Sequence, residues 1–184
     1  AALAAAREAV ALDPEDATAH TALGSALGLL GRPEEAREAL RRALDLDPSS
    51  PLASFSFGLS ILSHERAEEA LAAFERALRL SPLDPLAHDF LGALSVAHYL
   101  AGHYEQAIDA ARRSLASERE VGFSYEPIVA ASLVRLGRDA EAREAARALL
   151  ARFPAASLDP ARVFAPDAVI DDLRGALRRA GAAV

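Results

Sequence analysis

The residues of this chain that could do chemistry are few, and their spacing speaks against a catalytic centre. His64, Glu65, Arg66, Ala67 and Glu68 stop one residue type short of a His-Glu-x-x-His zinc motif. That motif places two imidazoles four residues apart on one helical face, with the glutamate as base. With Glu68 in place of the second histidine, the segment reads as a surface turn. His88, His98 and His103 gather with Tyr99 and Tyr104. Such a group could take a polar ligand or a weakly held metal. The preferred reading is aromatic filling at helix ends, with His103 and Tyr104 opening a helix. Gly24, Gly28 and Gly31 resemble a phosphate loop only in number. A phosphate loop follows a strand and opens a helix, whereas these three lie within and after a helix. Gly58-Leu59-Ser60 lacks the closing glycine of a nucleophile elbow.

The carboxylates have an ordinary explanation. Glu34, Glu38, Arg41 and Arg42 stand three or four residues apart on one helix, as do Glu141, Glu144 and Arg147. Pairs at that spacing stabilise a solvated helix face by roughly 0.2–0.5 kcal/mol each. No isolated acid pair sits in an apolar run, the arrangement that acid–base catalysis requires. The chain has no cysteine, which removes thiol nucleophiles, disulfides and cysteine-ligated zinc. No catalytic residue, metal or cofactor is assigned, and the chain is expected not to be an enzyme.

Composition narrows the remaining classes. The 184 residues are 52% apolar, which is incompatible with a disordered tail. Much of that fraction is alanine, the best helix former, which allows close helix approach but buries little area per residue. With 20 basic and 27 acidic residues the net charge is −7. A nucleic-acid partner would require basic surface to displace counterions from phosphates, so none is expected. No apolar run approaches the roughly 18–20 residues needed to cross a bilayer. No membrane association is expected, and the expected location is the cytoplasm. The opening stretch Ala1–Glu8 carries Arg7 and Glu8 within it and has no basic leader, so it does not read as a signal peptide.

What positions these residues is a repeat. Pro14, Pro48 and Pro82 are spaced by 34 residues, twice. The same interval carries Gly24 to Gly58, Ala36 to Ala70, Leu40 to Phe74 and Ala43 to Ala77. Asp16, Ser50 and Asp84 recur at that spacing as helix N-caps, and Pro51 and Pro85 follow two of them at the first helical position. The residue types match their tasks. A small Gly24 or Gly58 lets two helices cross closely, Leu40 or Phe74 fills the space between repeats, and Pro48 or Pro82 ends the second helix.

A 34-residue period of this kind resembles the tetratricopeptide repeat family. Leu23-Gly24, Leu27, Ala36, Leu40, Ala43 and Pro48 carry the likeness in one repeat, and Phe57-Gly58, Ile61, Ala70, Phe74, Ala77 and Pro82 in the next. His20 replaces an early aromatic and Glu65 replaces the turn glycine. The resemblance implies an all-α fold, a tetratricopeptide-type α-solenoid in which antiparallel helix pairs form a right-handed superhelix. One solenoid over residues 1–184 is expected. Residues 1–16 would be the second half of a repeat, so that the chain begins inside one. Repeats follow at 17–50, 51–84, 85–122 and 123–156, and residues 157–184 form a C-terminal cap. The cap helix is expected at Pro166–Ala180, with Ile170, Leu173 and Leu177 on one face. Repeat 85–122 is irregular. Gly92 fits the register counted from Pro82, whereas Gly102 and Ala107 fit one three residues later. A first helix one turn longer than usual, Pro85 to Leu100, followed by a second at Tyr104–Ser117, accounts for both. In the repeat at 123–156, Val129-Ala130, Leu133, Gly137, Ala142, Ala146 and Pro154 keep the register.

A narrower resemblance lies in Ser81–Pro85, Phe90–Leu94, Ala101–Ala107 and Leu173–Gly181. These are similar to the repeat region C-terminal to bacterial class III adenylate cyclase-like signalling proteins. That resemblance implies a regulatory setting and carries over no active-site residue.

In the tetratricopeptide family the first helix of each repeat lines the concave surface. Matching positions here are Thr18, Thr21, Ala22, Ser25 and Leu29, then Leu52, Phe55, Ser56, Leu59 and Leu62. They continue with Leu86, Asp89, Phe90, Ala93 and Val96, and with Ser124, Ile128, Ala131 and Arg135. The face is neutral and partly apolar. Thr21, Ser25, Phe55 and Ser56 stand where a carboxylate clamp would need charge, so an acidic peptide tail is not the expected ligand. The expected role is a protein–protein interaction scaffold that takes an apolar or amphipathic segment anchored at Phe55, Leu59 and Phe90. Those side chains could instead pack against neighbouring first helices. The alternative role is self-association through the half-repeat at Ala1–Leu12.

Overall fold

The structure, a computed structural model, describes residues 1–62, 66–116, 125–152 and 167–181. These residues form ten α-helices and no strand. The all-α expectation holds. The chain divides into two compact units, Ala1–Asp84 and Pro85–Val184, at a boundary the repeat spacing had marked.

The first unit holds α1 (Ala2–Leu12), α2 (Ala17–Leu29), α3 (Pro33–Leu46), α4 (Pro51–Leu62) and α5 (Ala67–Leu80). Two of the expected caps are formed. The Asp16 carboxylate accepts the Thr18 amide at 2.7 Å to open α2. The Ser50 hydroxyl accepts the Ala53 amide at 3.1 Å to open α4, with Pro51 as its first residue. Pro33 begins α3, with Glu34 and Glu35 in its first turn, where the helix dipole favours negative charge.

The pairs α2–α3 and α4–α5 are antiparallel hairpins closed at their glycines. A Cβ on Gly24 would stand 2.4 Å from Leu40 Cγ, and one on Gly58 would stand 2.5 Å from a ring carbon of Phe74. Any side chain at either position would push the hairpin apart. Leu27, Ala36 and Leu40 form a buried cluster, and Leu3 from α1 packs against it beside Leu23 and Phe57. The α1 helix is thereby tied to the hairpin that follows it.

The second unit holds α6 (Ala87–Leu100), α7 (Tyr104–Leu115), α8 (Glu126–Arg135), α9 (Asp139–Arg152) and α10 (Asp167–Arg179). Here the structure departs from the sequence reading. The helix expected from Pro85 begins at Ala87. The Leu86 carbonyl accepts both the Asp89 amide at 2.9 Å and the Phe90 amide at 3.0 Å, so Pro85-Leu86 form a tight turn that passes into the helix. Asp84 is therefore not the cap of α6. At 14 residues α6 is one longer than α2 and two longer than α4, not a full turn longer.

The two competing registers resolve on different neighbours. Ser95 lies seven residues before Gly102, as Gly24 lies seven before Gly31. It takes the small position of the hairpin, fully buried, with its hydroxyl turned back onto the Gly92 carbonyl at 2.6 Å. Gly92 faces Tyr125, and a Cβ there would stand 2.0 Å from the ring. Gly31, Gly102 and Gly137 end three first helices at φ +69°, +79° and +71°, where L side chains are strained. The turn at Glu65, the connection Ser117–Gly122, the repeat start at Phe123, the Ser124 position, Pro154 and the stretch Ser157–Pro166 lie outside the described residues.

Helix α10 falls within the span expected for the cap. Ile170, Leu173 and Leu177 are at most 1% exposed, and Ala176 and Ala180 are buried beside them. It packs along α8 and not along α9, the helix before it in sequence.

Candidate functional site

The face expected to bind is best followed helix by helix. On α2, Thr18, Ala22 and Leu29 are exposed, Leu29 at 76%. Thr21 is buried, and its hydroxyl donates to the Ala17 carbonyl at 2.8 Å. Ser25 is half-buried, with its hydroxyl 3.0 Å from that of Ser56 on α4. That bond joins two consecutive first helices. On α4, Leu52 is exposed and Leu59 half-buried, whereas Phe55, Ser56 and Leu62 are buried. The open part of this face is thus Thr18, Ala22, Leu29 and Leu52 with edges of Ser25 and Leu59. All are uncharged.

The aromatic anchors are not on the surface. The ring of Phe55 packs at 5.7 Å, tilted, on that of Phe74, the residue that fills the α4–α5 crossing. Phe90 is fully buried in the second unit. Both belong to the core, because the turn of each helix points the ring at its packed neighbours and not at the open side. Asp89 is half-buried, with its carboxylate 3.4 Å from His88 Nε2.

In the second unit most of the corresponding face is covered, although Leu86 at its start is 39% exposed. Ala93 and Val96 on α6 and Ile128 and Ala131 on α8 are all buried. Arg135 stands two residues before Gly137, as Leu29 stands two before Gly31, and it keeps an exposed edge. It meets a carboxylate from α10. Arg135 Nη2 donates to Asp172 Oδ1. The Tyr99 hydroxyl donates to Asp172 Oδ2 at 3.0 Å, and Arg135 Nε donates to the Tyr99 oxygen at 3.4 Å. Burial pushes the Tyr99 phenol up to about 12, and the bond to Tyr99 and then to Asp172 raises the Arg135 guanidinium above its ordinary value. The repeat register puts Arg135 on this face, whereas Tyr99 stands out in the sequence only within the His98–Tyr104 group and Asp172 not at all. The signal was the later register of α6, which brings Tyr99 to within one turn of Gly102.

The histidines serve packing. His98 and His103 rings lie 5.8 Å apart, and Tyr99 and Tyr104 meet edge-on at 5.6 Å across the α6–α7 turn. Among the described residues no group of three metal-ligating side chains is close enough to hold an ion. His64 lies outside them. No described helix is long and apolar enough to cross a membrane. The outer helix α3 is charged and internally paired, with Arg32–Glu35 at 2.6 Å, Arg37–Glu34, and Arg42 reaching Glu15 at 2.8 Å.

Known proteins agree with this architecture. The chain is similar in fold to PilW, a type IV pilus biogenesis factor, at 21% identity and a TM-score of 0.71, over 97% of this chain and 79% of that one. It is similar to YrrB, described as a tetratricopeptide protein with an unusual peptide-binding site, at 21% identity and a TM-score of 0.68, over 96% and 90%. It is similar to pilF of Pseudomonas aeruginosa at 23% identity and a TM-score of 0.70, over 96% and 78%. At these identities the likeness shows the fold alone. No curated protein matches the chain in sequence. The family model for the tetratricopeptide repeat matches residues 1–51 and 55–120. With well over half of its residues matched and its helices paired as the 34-residue period requires, the chain belongs to the tetratricopeptide repeat family.

Proposed function

We propose that the chain is a non-catalytic protein–protein interaction scaffold whose first unit holds an apolar or amphipathic segment on α2 and α4. One observation carries this reading. Leu29 and Leu52 are large apolar side chains left 76% and 46% exposed on a face whose other open members, Thr18, Ala22 and Ser25, are small and uncharged. Such a face excludes charge-driven ligands and favours an uncharged or amphipathic one. A peptide site in the similarly folded YrrB is in keeping with this use of the fold. We read the scaffold as the regulatory region of a larger bacterial signalling protein in the cytoplasm, a reading supported by the likeness of Ser81–Pro85, Phe90–Leu94, Ala101–Ala107 and Leu173–Gly181 to cyclase-associated repeat regions.

The test is selection from a displayed peptide library, comparing the chain with its Leu29→Asp/Leu52→Asp variant. The selected peptides should share an apolar face and lose binding to the variant, while the melting temperature stays the same because both leucines are exposed. Peptides that bind both proteins equally would overturn the assignment.

Self-association is a second reading, favoured by α1. That helix turns only Ala6 fully inward and leaves Leu12 81% exposed. Light scattering over a concentration series decides it, since only a dimer lost on Leu12→Asp sustains the idea.

A further inference from the structure

We propose that the binding face of the second unit is already filled by the chain's own C-terminal helix, and that this face accepts a partner's amphipathic helix only in exchange for α10. The inference deepens the scaffold reading and rests on it.

The first argument is burial. On α2, the first helix of its hairpin, Thr18, Ala22 and Leu29 are open to solvent. On α8, the first helix of its own hairpin, seven consecutive residues from Pro127 to Leu133 are buried. A helix with one open face cannot bury seven residues in a row, since they span nearly two turns and every direction around its axis. The missing side of α8 is covered by α10.

The second argument is position. A helix continuing the stack would rest on both helices of the preceding hairpin, as α4 rests on α3 and α2. Helix α10 instead lies along α8 and sends Asp172 back to Tyr99 on α6. Tyr99 and Arg135 both sit within three residues of a hairpin glycine, at the ends of first helices, and both reach the one carboxylate. The helix is thus seated as a ligand on the first-helix face.

The third argument is the chemistry of the seat. The apolar contact is made by Ile170, Leu173 and Leu177, with Ala176 and Ala180 between and after them. The polar contact is one carboxylate, two residues after the first of these. A partner fitted to this face is therefore an amphipathic helix with apolar residues at i, i+3 and i+7 and a carboxylate at i+2. The ion pair is the solvated part of the seat: the side chains of Arg135 and Asp172 remain 34% and 41% exposed, so their attraction is screened by water and the charge can be changed without altering the apolar contact.

The test uses the full 184-residue chain and a labelled synthetic peptide with the sequence of residues 167–181. Asp172→Arg sets two cations against each other, and Arg135→Asp/Asp172→Arg restores the pair in reverse. In the first variant the α10 amides should exchange faster by about tenfold or more, and peptide affinity should rise by a similar factor as the competent fraction grows. The double variant should return both towards wild type. If Asp172→Arg disrupts the fold, Asp172→Asn gives the same two readouts in milder form. The proposal is overturned if α10 opens without a gain in peptide affinity, if α10 exchanges only together with α6 to α9, or if Asp172→Asn unfolds the second unit. Because the substitutions alter only the second unit, the change in peptide affinity between variants reports on that unit alone, so failure here leaves the Leu29–Leu52 test intact, and failure there leaves this one intact.

Discussion

The ring of Tyr125 occupies the space in which a side chain on Gly92 would stand, with its Cζ 2.0 Å from where a Cβ would be. Elsewhere in the chain a glycine at a helix crossing yields to its own hairpin partner. Here it yields to the residue that opens the next hairpin. Gly92→Ala should cost about 1–3 kcal/mol of stability, the range for forcing one extra methyl into a filled core. Tyr125→Ala should itself cost about 3–5 kcal/mol. In that background the glycine substitution should become neutral or stabilising, since alanine is the better helix former. Chemical denaturation of the four proteins closes the cycle. An equal cost in both backgrounds would mean the ring is not what Gly92 accommodates.

The glycines of α2 and its turn separate two effects on one helix. Gly31 has φ +69° and open space around it, so Gly31→Ala should cost about 1–2 kcal/mol through backbone strain alone. Gly28 is helical, and a Cβ there would meet only Ala36 Cβ at 4.0 Å. Gly28→Ala should stabilise by about 0.5–1 kcal/mol. Thermal melts of the two variants should therefore move in opposite directions, and movement in the same direction would contradict the strain argument.

The Tyr99 phenol is held protonated by burial, up to about 12 against an unfolded value of 10.0. A group whose folded pKa is raised contributes its full stability below the unfolded value and loses it as pH climbs through the folded one. Stability should therefore fall across pH 10 to 12. Tyr125, raised in the same direction by burial and then by Asp89, steepens the fall. Tyr99→Phe should flatten the Tyr99 share of the slope, read from denaturation midpoints against pH. A slope unchanged in the variant would remove Tyr99 from the account.

Ser25 and Ser56 join α2 to α4 by one hydroxyl contact at 3.0 Å. Either Ser→Ala change should cost about 0.5–1.5 kcal/mol, and the double variant little more than one of them. Full additivity in urea titrations would show that the hydroxyls do not depend on each other.

The sequence disclosed the helical hairpins because a 34-residue interval has to place small residues at every crossing, and Gly24, Gly58, Ala36 and Ala70 do so. Caps were legible where a side chain makes the bond locally, as at Asp16 and Ser50. Asp84 looked alike, yet the turn at Pro85-Leu86 moves the start of α6 to Ala87, with Leu86 at its cap and the Leu86 carbonyl accepting the Asp89 and Phe90 amides. Phe55 and Phe90 could not be assigned from register alone. A first-helix position faces either the open side or the next helix, and a rotation of a few tens of degrees decides which. The Tyr99–Arg135–Asp172 cluster was not legible, because it depends on where α10 folds back, which no period in the sequence encodes.

The bond from Tyr99 to Asp172 spans 73 residues. In a stack where each hairpin touches only its neighbours, stability is a sum of local terms and the last element frays first. Helix α10 reaches past α8 to α6, so its opening takes a hydrogen-bond partner from the hairpin that begins the unit while α6 to α9 stay folded. Native-state proteolysis at increasing urea should then cut α10 first, and α6 through α9 together over a higher, narrow range, instead of trimming inward one hairpin at a time.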